Sequence, residues 1–137
     1  MKANSVMFID DDDSFLLLAE RACQKSSLSP EAILCLGGND GINKLMDLIL
    51  SNNPPELIFV DLNMPSIDGL EFLKIYEDFR QNNSTYDLPL KIYMMTSSSE
   101  EIDRKNAIKY GADGFIVKPS QLKDVISIID EKLELEI

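Results

Sequence analysis

The amino-acid sequence predicts an α/β domain in which five βα units build one all-parallel sheet with helices on both faces. Two observations carry this expectation. Apolar runs of strand length alternate with segments of helical period from one end of the chain to the other. The runs are also nearly continuously apolar, as parallel strands covered on both faces must be. With 137 residues, the chain has room for one hydrophobic core, so it is read as one domain spanning 1–137.

The first strand is expected at Val6–Ile9, followed by a helix from Ser14 to about Lys25 with Asp13 or Ser14 as its cap. A second strand at Ala32–Leu36 leads into a helix over Asp40–Leu50, capped by Asn39. The third strand, Leu57–Val60, is followed by a helix from Gly69 to about Arg80, with Asp68 as cap. Ile92–Met95 forms the fourth strand and Ser99–Tyr110 the fourth helix, which starts at Ser98 or Ser99 and stops at Gly111 in a left-handed conformation. Phe115–Val117 is the fifth strand. The last helix, Gln121–Leu135 with Ser120 as cap, shows the clearest periodicity: Leu122, Val125, Ile126, Ile129 and Leu133 form one buried stripe. Pro54, Pro55, Pro65, Pro89 and Pro119 all fall in connections. The polar stretch from Gln81 to Leu90 reads as a surface excursion.

Composition excludes several chemistries. The formal charge is −11, and removing the four aspartates at 10–13 still leaves −7, so the acidity is global. Such a surface repels phosphate backbones and anionic lipid, arguing against nucleic acid and membrane as partners and in favour of small cations. There is no histidine, which rules out an imidazole base, a Ser-His-Asp triad and histidine-containing zinc sites. Cys23 and Cys35 are expected as buried, reduced thiols on a helix and a strand. The apolar run before the aspartates is only the four residues Val6–Ile9, too short for a signal-peptide core, so the cytoplasm is the expected location.

Open α/β sheets bind ligands at the carboxyl ends of their strands, beside the point where strand order reverses. Just past the first strand stand Asp10 and Asp11, past the third Asp61, past the fourth Thr96 and past the fifth Lys118. Sheet order 2-1-3-4-5 makes the first and third strands neighbours, about 4.8 Å apart, and crowds three carboxylates into one crevice. Order 1-2-3-4-5 would separate them and leave no site. Three clustered carboxylates repel one another unless a cation neutralises them. Oxygen ligands alone select a hard ion, and a partial protein shell completed by water and phosphate oxygen favours Mg2+ over Ca2+.

These segments resemble the receiver domain of two-component response regulators. Phe8-Ile-Asp-Asp-Asp12 looks like the family's acidic-pair strand, and Pro55-Glu-Leu-Ile-Phe-Val-Asp61-Leu-Asn-Met-Pro65-Ser-Ile-Asp-Gly69 its phospho-acceptor segment. Tyr93-Met-Met-Thr96-Ser is similar to the hydroxyl strand, and Gly111-Ala-Asp-Gly-Phe115-Ile-Val-Lys118-Pro119 to the aromatic-lysine strand. The resemblance spans essentially the whole chain. It implies a flavodoxin-like (βα)5 fold, a doubly wound parallel five-stranded sheet of order 2-1-3-4-5, here without an output domain. It further implies that Asp61 accepts a phosphoryl group from a histidine kinase or histidine phosphotransfer protein. Asp11 would bind Mg2+ directly, Asp10 directly or through water, and Asn63 through its backbone carbonyl, with Asp61 completing the metal set. Lys118 and Thr96 would contact phosphoryl oxygens, and Thr96 with Phe115 would switch a face made of the fourth helix, fifth strand and fifth helix toward a downstream protein. A cis Lys118–Pro119 bond is implied as well.

Each residue also has a plainer reading: a solvated acidic turn, a strand-forming Thr, a turn Asn, an exposed Lys before Pro, a core Phe. Three other functions compete. Asp10-x-Asp12 after an apolar strand also occurs in haloacid-dehalogenase-type phosphohydrolases, with Asp10 as nucleophile, but that family expects an acidic pair after its lysine, where this chain has Pro-Ser-Gln. A receiver-like module that is never phosphorylated would lack one of the expected residues, and none is lacking. A nucleotide-binding flavodoxin-like protein needs a phosphate loop, for which Gly37-Gly38-Asn39-Asp40 is too short and acidic.

Overall fold

Leu57–Asp61, buried at every position, is the middle of a five-stranded parallel sheet in the computed structural model, which describes residues 5–83, 90–97 and 101–135. The elements in chain order are β1 (Ser5–Asp10), α1 (Asp13–Lys25), β2 (Glu31–Leu36), α2 (Gly38–Leu50) and β3 (Leu57–Asp61). They continue with α3 (Gly69–Asn82), β4 (Lys91–Thr96), α4 (Glu101–Lys109), β5 (Gly114–Val117) and α5 (Leu122–Leu135). Sheet order is β2-β1-β3-β4-β5, the order that the crowding of aspartates requires. All five strands and all five helices fall where the sequence predicts them.

Strand alternation divides the core in two. Val6, Phe8, Leu57, Phe59, Tyr93 and Met95 face α1 and α5, where they meet Phe15, Ala19, Cys23, Val125, Ile129 and Leu133. Met7, Ile9, Ile58, Val60, Ile92 and Met94 face α2, α3 and α4. On the first face Phe8, Phe59 and Tyr93 stack across three strands, with centroids 5.3 and 5.7 Å apart. Val125, Ile129 and Leu133 are the fully buried part of the α5 stripe. Cys23 and Cys35 are free and buried, and burial pushes their thiols up to about 12 and about 11, so both stay protonated and inert.

Local differences from the sequence reading have local causes. The cap of α1 is Asp12, whose carboxylate accepts from the Ser14 N–H, one residue earlier than expected. Helix α2 starts at Gly38 rather than Asp40, because Gly37 takes φ 93° and turns the chain where a side-chain cap at Asn39 was expected. Asp68 caps α3 as predicted, accepting from the Glu71 N–H, and Gly111 has φ 106° after α4. Helix α3 runs two residues past Arg80, to Asn82. The expected caps Ser98 and Ser99, Pro89 and most of the 81–90 stretch lie outside the described residues.

The Lys118–Pro119 bond is trans, contrary to the expectation of a cis bond. The turn after β5 is reached without it: the Lys118 N–H donates to the Thr96 carbonyl, which keeps the chain beside β4 for one more residue. No described helix is long and apolar enough to cross a membrane.

Candidate functional site

Asp10 and Asp61 end β1 and β3, the adjacent central strands, and both lie in alternation with the residues that face α1 and α5. They are thus the last residues of their strands, where the sequence reading set them just outside. Asp11 follows Asp10 and is exposed. One carboxylate oxygen from each of Asp10, Asp11 and Asp61 can be chosen so that all lie within 4.8 Å of one another. Asp10 is 1% and Asp61 7% exposed.

The site is held by backbone bonds to its own loops. Asp10 Oδ1 accepts from the Asp12 N–H at 2.9 Å, and Asp61 Oδ1 from the Asn63 N–H at 3.3 Å. The loop after Asp61 is tied back by Leu62 N–H to the Met95 carbonyl and by Gly69 N–H to the Leu62 carbonyl. A side chain at Gly69 would collide with Met94 Sδ, the Asp61 carbonyl and Leu62 Cα, so only glycine lets α3 begin this close to the end of β3.

Lys118, just past β5, reaches across β4 to the carboxylates. Its Nζ lies 2.7 Å from Asp10 Oδ2 and 3.7 Å from Asp61 Oδ2, and 4.7 Å from the centroid of the Phe15 ring. Burial works to lower the lysine's pKa, but the hydrogen bond and charge of Asp10, with Asp61 and Asp12, outweigh it and hold the ammonium above its usual range. Burial raises the Asp61 carboxyl first and Asp10 second, against the pull of Lys118 and the Asn63 N–H, and it reaches about 7. Thr96 is fully buried at the end of β4, and the Asn63 side-chain amide donates to its Oγ1 at 3.5 Å. Phe115, one strand over, is half-buried and packs against the α2–α4 side of the core.

Asp10, Asp11, Asp61, Asn63, Thr96 and Lys118 therefore lie at one edge of the sheet, where the three aspartates and Lys118 converge, while Phe115 lies two residues before that edge on β5. Phe15, within the predicted first helix, is a site neighbour that the sequence reading does not single out. Its signal was available, since Phe15, Ala19 and Ala22 mark the inward stripe of α1 directly after the acidic run. The donor set consists of carboxylate oxygens without nitrogen or sulfur, which suits a hard divalent ion.

Residues 6–130 match the family described as the response regulator receiver domain. The chain belongs to that family. As a receiver domain it is a signalling switch of two-component systems rather than a classical enzyme, and its acidic pocket is of the kind that binds a divalent metal. Among curated relatives, the DNA-binding transcriptional regulator NtrC of Proteus hauseri is 26% identical over 133 residues, covering 97% of this chain but 25% of that protein. The chain thus spans about a quarter of the length of that relative. Among solved structures, a CheY-like receiver domain protein of Methanospirillum hungatei has a TM-score of 0.73 at 22% identity, covering 97% of this chain and 95% of that one. The phosphorylated cyanobacterial phytochrome response regulator RcpA reaches 0.77 at 20% identity, covering 97% and 93%. The Mn(2+)-bound form of response regulator Rcp1 gives 0.69 at 22%, covering 93% and 90%. At these identities the structural likenesses speak for the receiver fold.

Proposed function

We propose that Asp61 is the phospho-acceptor, taking a phosphoryl group from a phosphohistidine on a histidine kinase or histidine phosphotransfer protein. The observation that carries this reading is the convergence of three carboxylates and one ammonium at the ends of β1, β3 and β5. In the transfer, an Asp61 oxygen bonds to phosphorus as the P–N bond to the donor imidazole breaks, and the leaving nitrogen keeps that electron pair. Lys118, 3.7 Å from Asp61 Oδ2, would pair with one phosphoryl oxygen and the Thr96 hydroxyl with another. The proposed Mg2+ ligands are Asp10, Asp11, Asp61 and the Asn63 backbone carbonyl. Bound there, the ion would hold Asp61 in its ionised form and offset charge on the phosphoryl oxygens.

Thr96 and Phe115 are proposed as the switch, and α4, β5 and α5 as the face it presents to a downstream protein. In support, Phe115 is half-buried, its strand neighbour is Met94, and Thr96 pairs with Val117 in the same ladder. Ile108 and Val117 are exposed on that side. The charge of −11 supports protein partners over nucleic acid or membrane, and we read residues 1–137 as one receiver domain working in the cytoplasm.

The test is incubation with a small phosphodonor and Mg2+, followed by mapping of the acyl phosphate by mass spectrometry. Modification of Asp61, lost in chelator and most impaired in Asp11→Asn, is expected. An acyl phosphate on Asp10, Asp11 or Asp12, or undiminished labelling of Asp61→Ala, would overturn the assignment.

A further inference from the structure

We propose that Phe15 is a positioning residue for Lys118: its ring carries the ammonium by a cation–π contact and keeps it within reach of Asp61 when a divalent cation takes over Asp10. The inference rests on the reading of Asp61 as acceptor and concerns how its lysine is held. Among the described residues the ammonium's near contacts are Asp10 Oδ2 at 2.7 Å, Asp61 Oδ2 at 3.7 Å and the Phe15 ring at 4.7 Å to the centroid. Phe15 is 5% exposed and anchored in the α1–α5 side of the core, so the ring is a fixed surface. Lys118 enters from beyond β5, on a long stem with several rotatable bonds.

The three neighbours differ in what a divalent cation does to them. Asp10 and Asp61 are carboxylates of the cluster suited to the metal, and a metal there weakens their hold on the ammonium and repels it as a like charge. The ring is uncharged and no metal competes for it. Its π face attracts an ammonium within about 6 Å, more strongly where water is excluded, and the Lys118 side chain is 14% exposed. Phe15 and Lys118 are themselves two walls of a cleft of about 410 Å3 that continues past them between Asp12, Leu18, Ser97 and Pro119. Without an attractive wall at Phe15, the ammonium could turn into that cleft and away from the acceptor. An aliphatic residue would fill the same volume without this attraction.

The experiment replaces the Phe15 ring by singly, doubly and triply fluorinated rings, which keep its shape while draining its π density, and adds Phe15→Leu. Labelling of Asp61 by a small phosphodonor with Mg2+ is timed, and the NMR shifts of the Lys118 methylene next to Nζ are followed. The expected result is a stepwise fall in labelling rate, reaching about threefold to tenfold with the poorest ring, at unchanged thermal stability. The Lys118 methylene, shielded over the ring, should move toward its random-coil shift in Phe15→Leu, and further when Mg2+ is added. A flat rate across the fluorinated series, or a Lys118 methylene insensitive to Phe15→Leu, would overturn the role of Phe15 while leaving Asp61 as acceptor. Failure of the unaltered protein to label at Asp61 would overturn the acceptor reading and the positioning role together; the NMR arm would then report a structural contact only.

Discussion

Lys118 closes on Asp10, not on Asp61: its ammonium is 2.7 Å from the first carboxylate and 3.7 Å from the second. Asp61, the proposed acceptor, is therefore the less neutralised of two buried carboxylates on adjacent strands. Burial first and the charge of Asp10 second push Asp61 up to about 7, and Lys118 at 3.7 Å offsets only part of this.

A pH dependence follows, with a definite sign. An Asp whose folded pKa lies above its unfolded value of about 4 binds more protons folded than unfolded between those pH values. Folding stability then falls as pH rises from about 4 to about 7, and the full penalty is present above that. In chelator at pH 8, Asp61→Asn should be more stable than the parent by up to about 4 kcal/mol, and the difference should vanish near pH 4. Urea unfolding of both proteins across this range is the measurement. A constant difference at all pH values would refute it.

Removing the ammonium should act in the opposite direction. Lys118→Met leaves Asp10 and Asp61 buried without their counter-charge, and breaking a buried pair from one side costs about 3 kcal/mol. The melting temperature in chelator should drop accordingly, and millimolar Mg2+ should restore more stability to the variant than to the parent. Equal responses to Mg2+ would mean that the ion does not sit on these carboxylates.

Gly69→Ala tests the packing of the acceptor loop. The added methyl would meet the Asp61 carbonyl and Leu62 Cα, both backbone neighbours that cannot step aside alone. A loss of about 2 kcal/mol is expected from this overpacking, together with slower labelling at Asp61. Unchanged stability by denaturant unfolding would show that the loop yields easily.

Thr96→Ala should accept phosphate yet respond poorly. The hydroxyl is buried at the end of β4, and its hydrogen bond to a phosphoryl oxygen is the link proposed between the site and Phe115. A coupling of about 1–3 kcal/mol would be ordinary for such a switch. Chemical shifts of β5 and α5 on beryllofluoride binding should change strongly in the parent and weakly in the variant. Identical shifts in both proteins would return Phe115 to the role of a core residue.

The five strands, five helices and their order were legible because each leaves a periodic mark: unbroken apolar runs for β1, β3 and β4, and a single stripe at Val125, Ile129 and Leu133 for α5. Even the sheet order could be inferred, since only β1 beside β3 brings Asp10, Asp11 and Asp61 together. Capping was less legible, because four consecutive aspartates offer equivalent side chains. Which of them caps α1 depends on where Asp10 holds the Asp12 N–H.

Sequence by itself thus determined the fold, the edge on which the chemistry gathers and the charged groups that gather there, because these follow from residue type and spacing along the chain. Tertiary structure decided which carboxylate Lys118 prefers, that the bond to Pro119 is trans, and that the Phe15 ring lies beneath the ammonium. The contacts of Lys118 turn on separations of an ångström or two, across 108 residues of sequence to Asp10, 103 to Phe15 and 57 to Asp61. No local pattern encodes such distances. They are set by how α1 and the end of β5 pack against the same sheet edge.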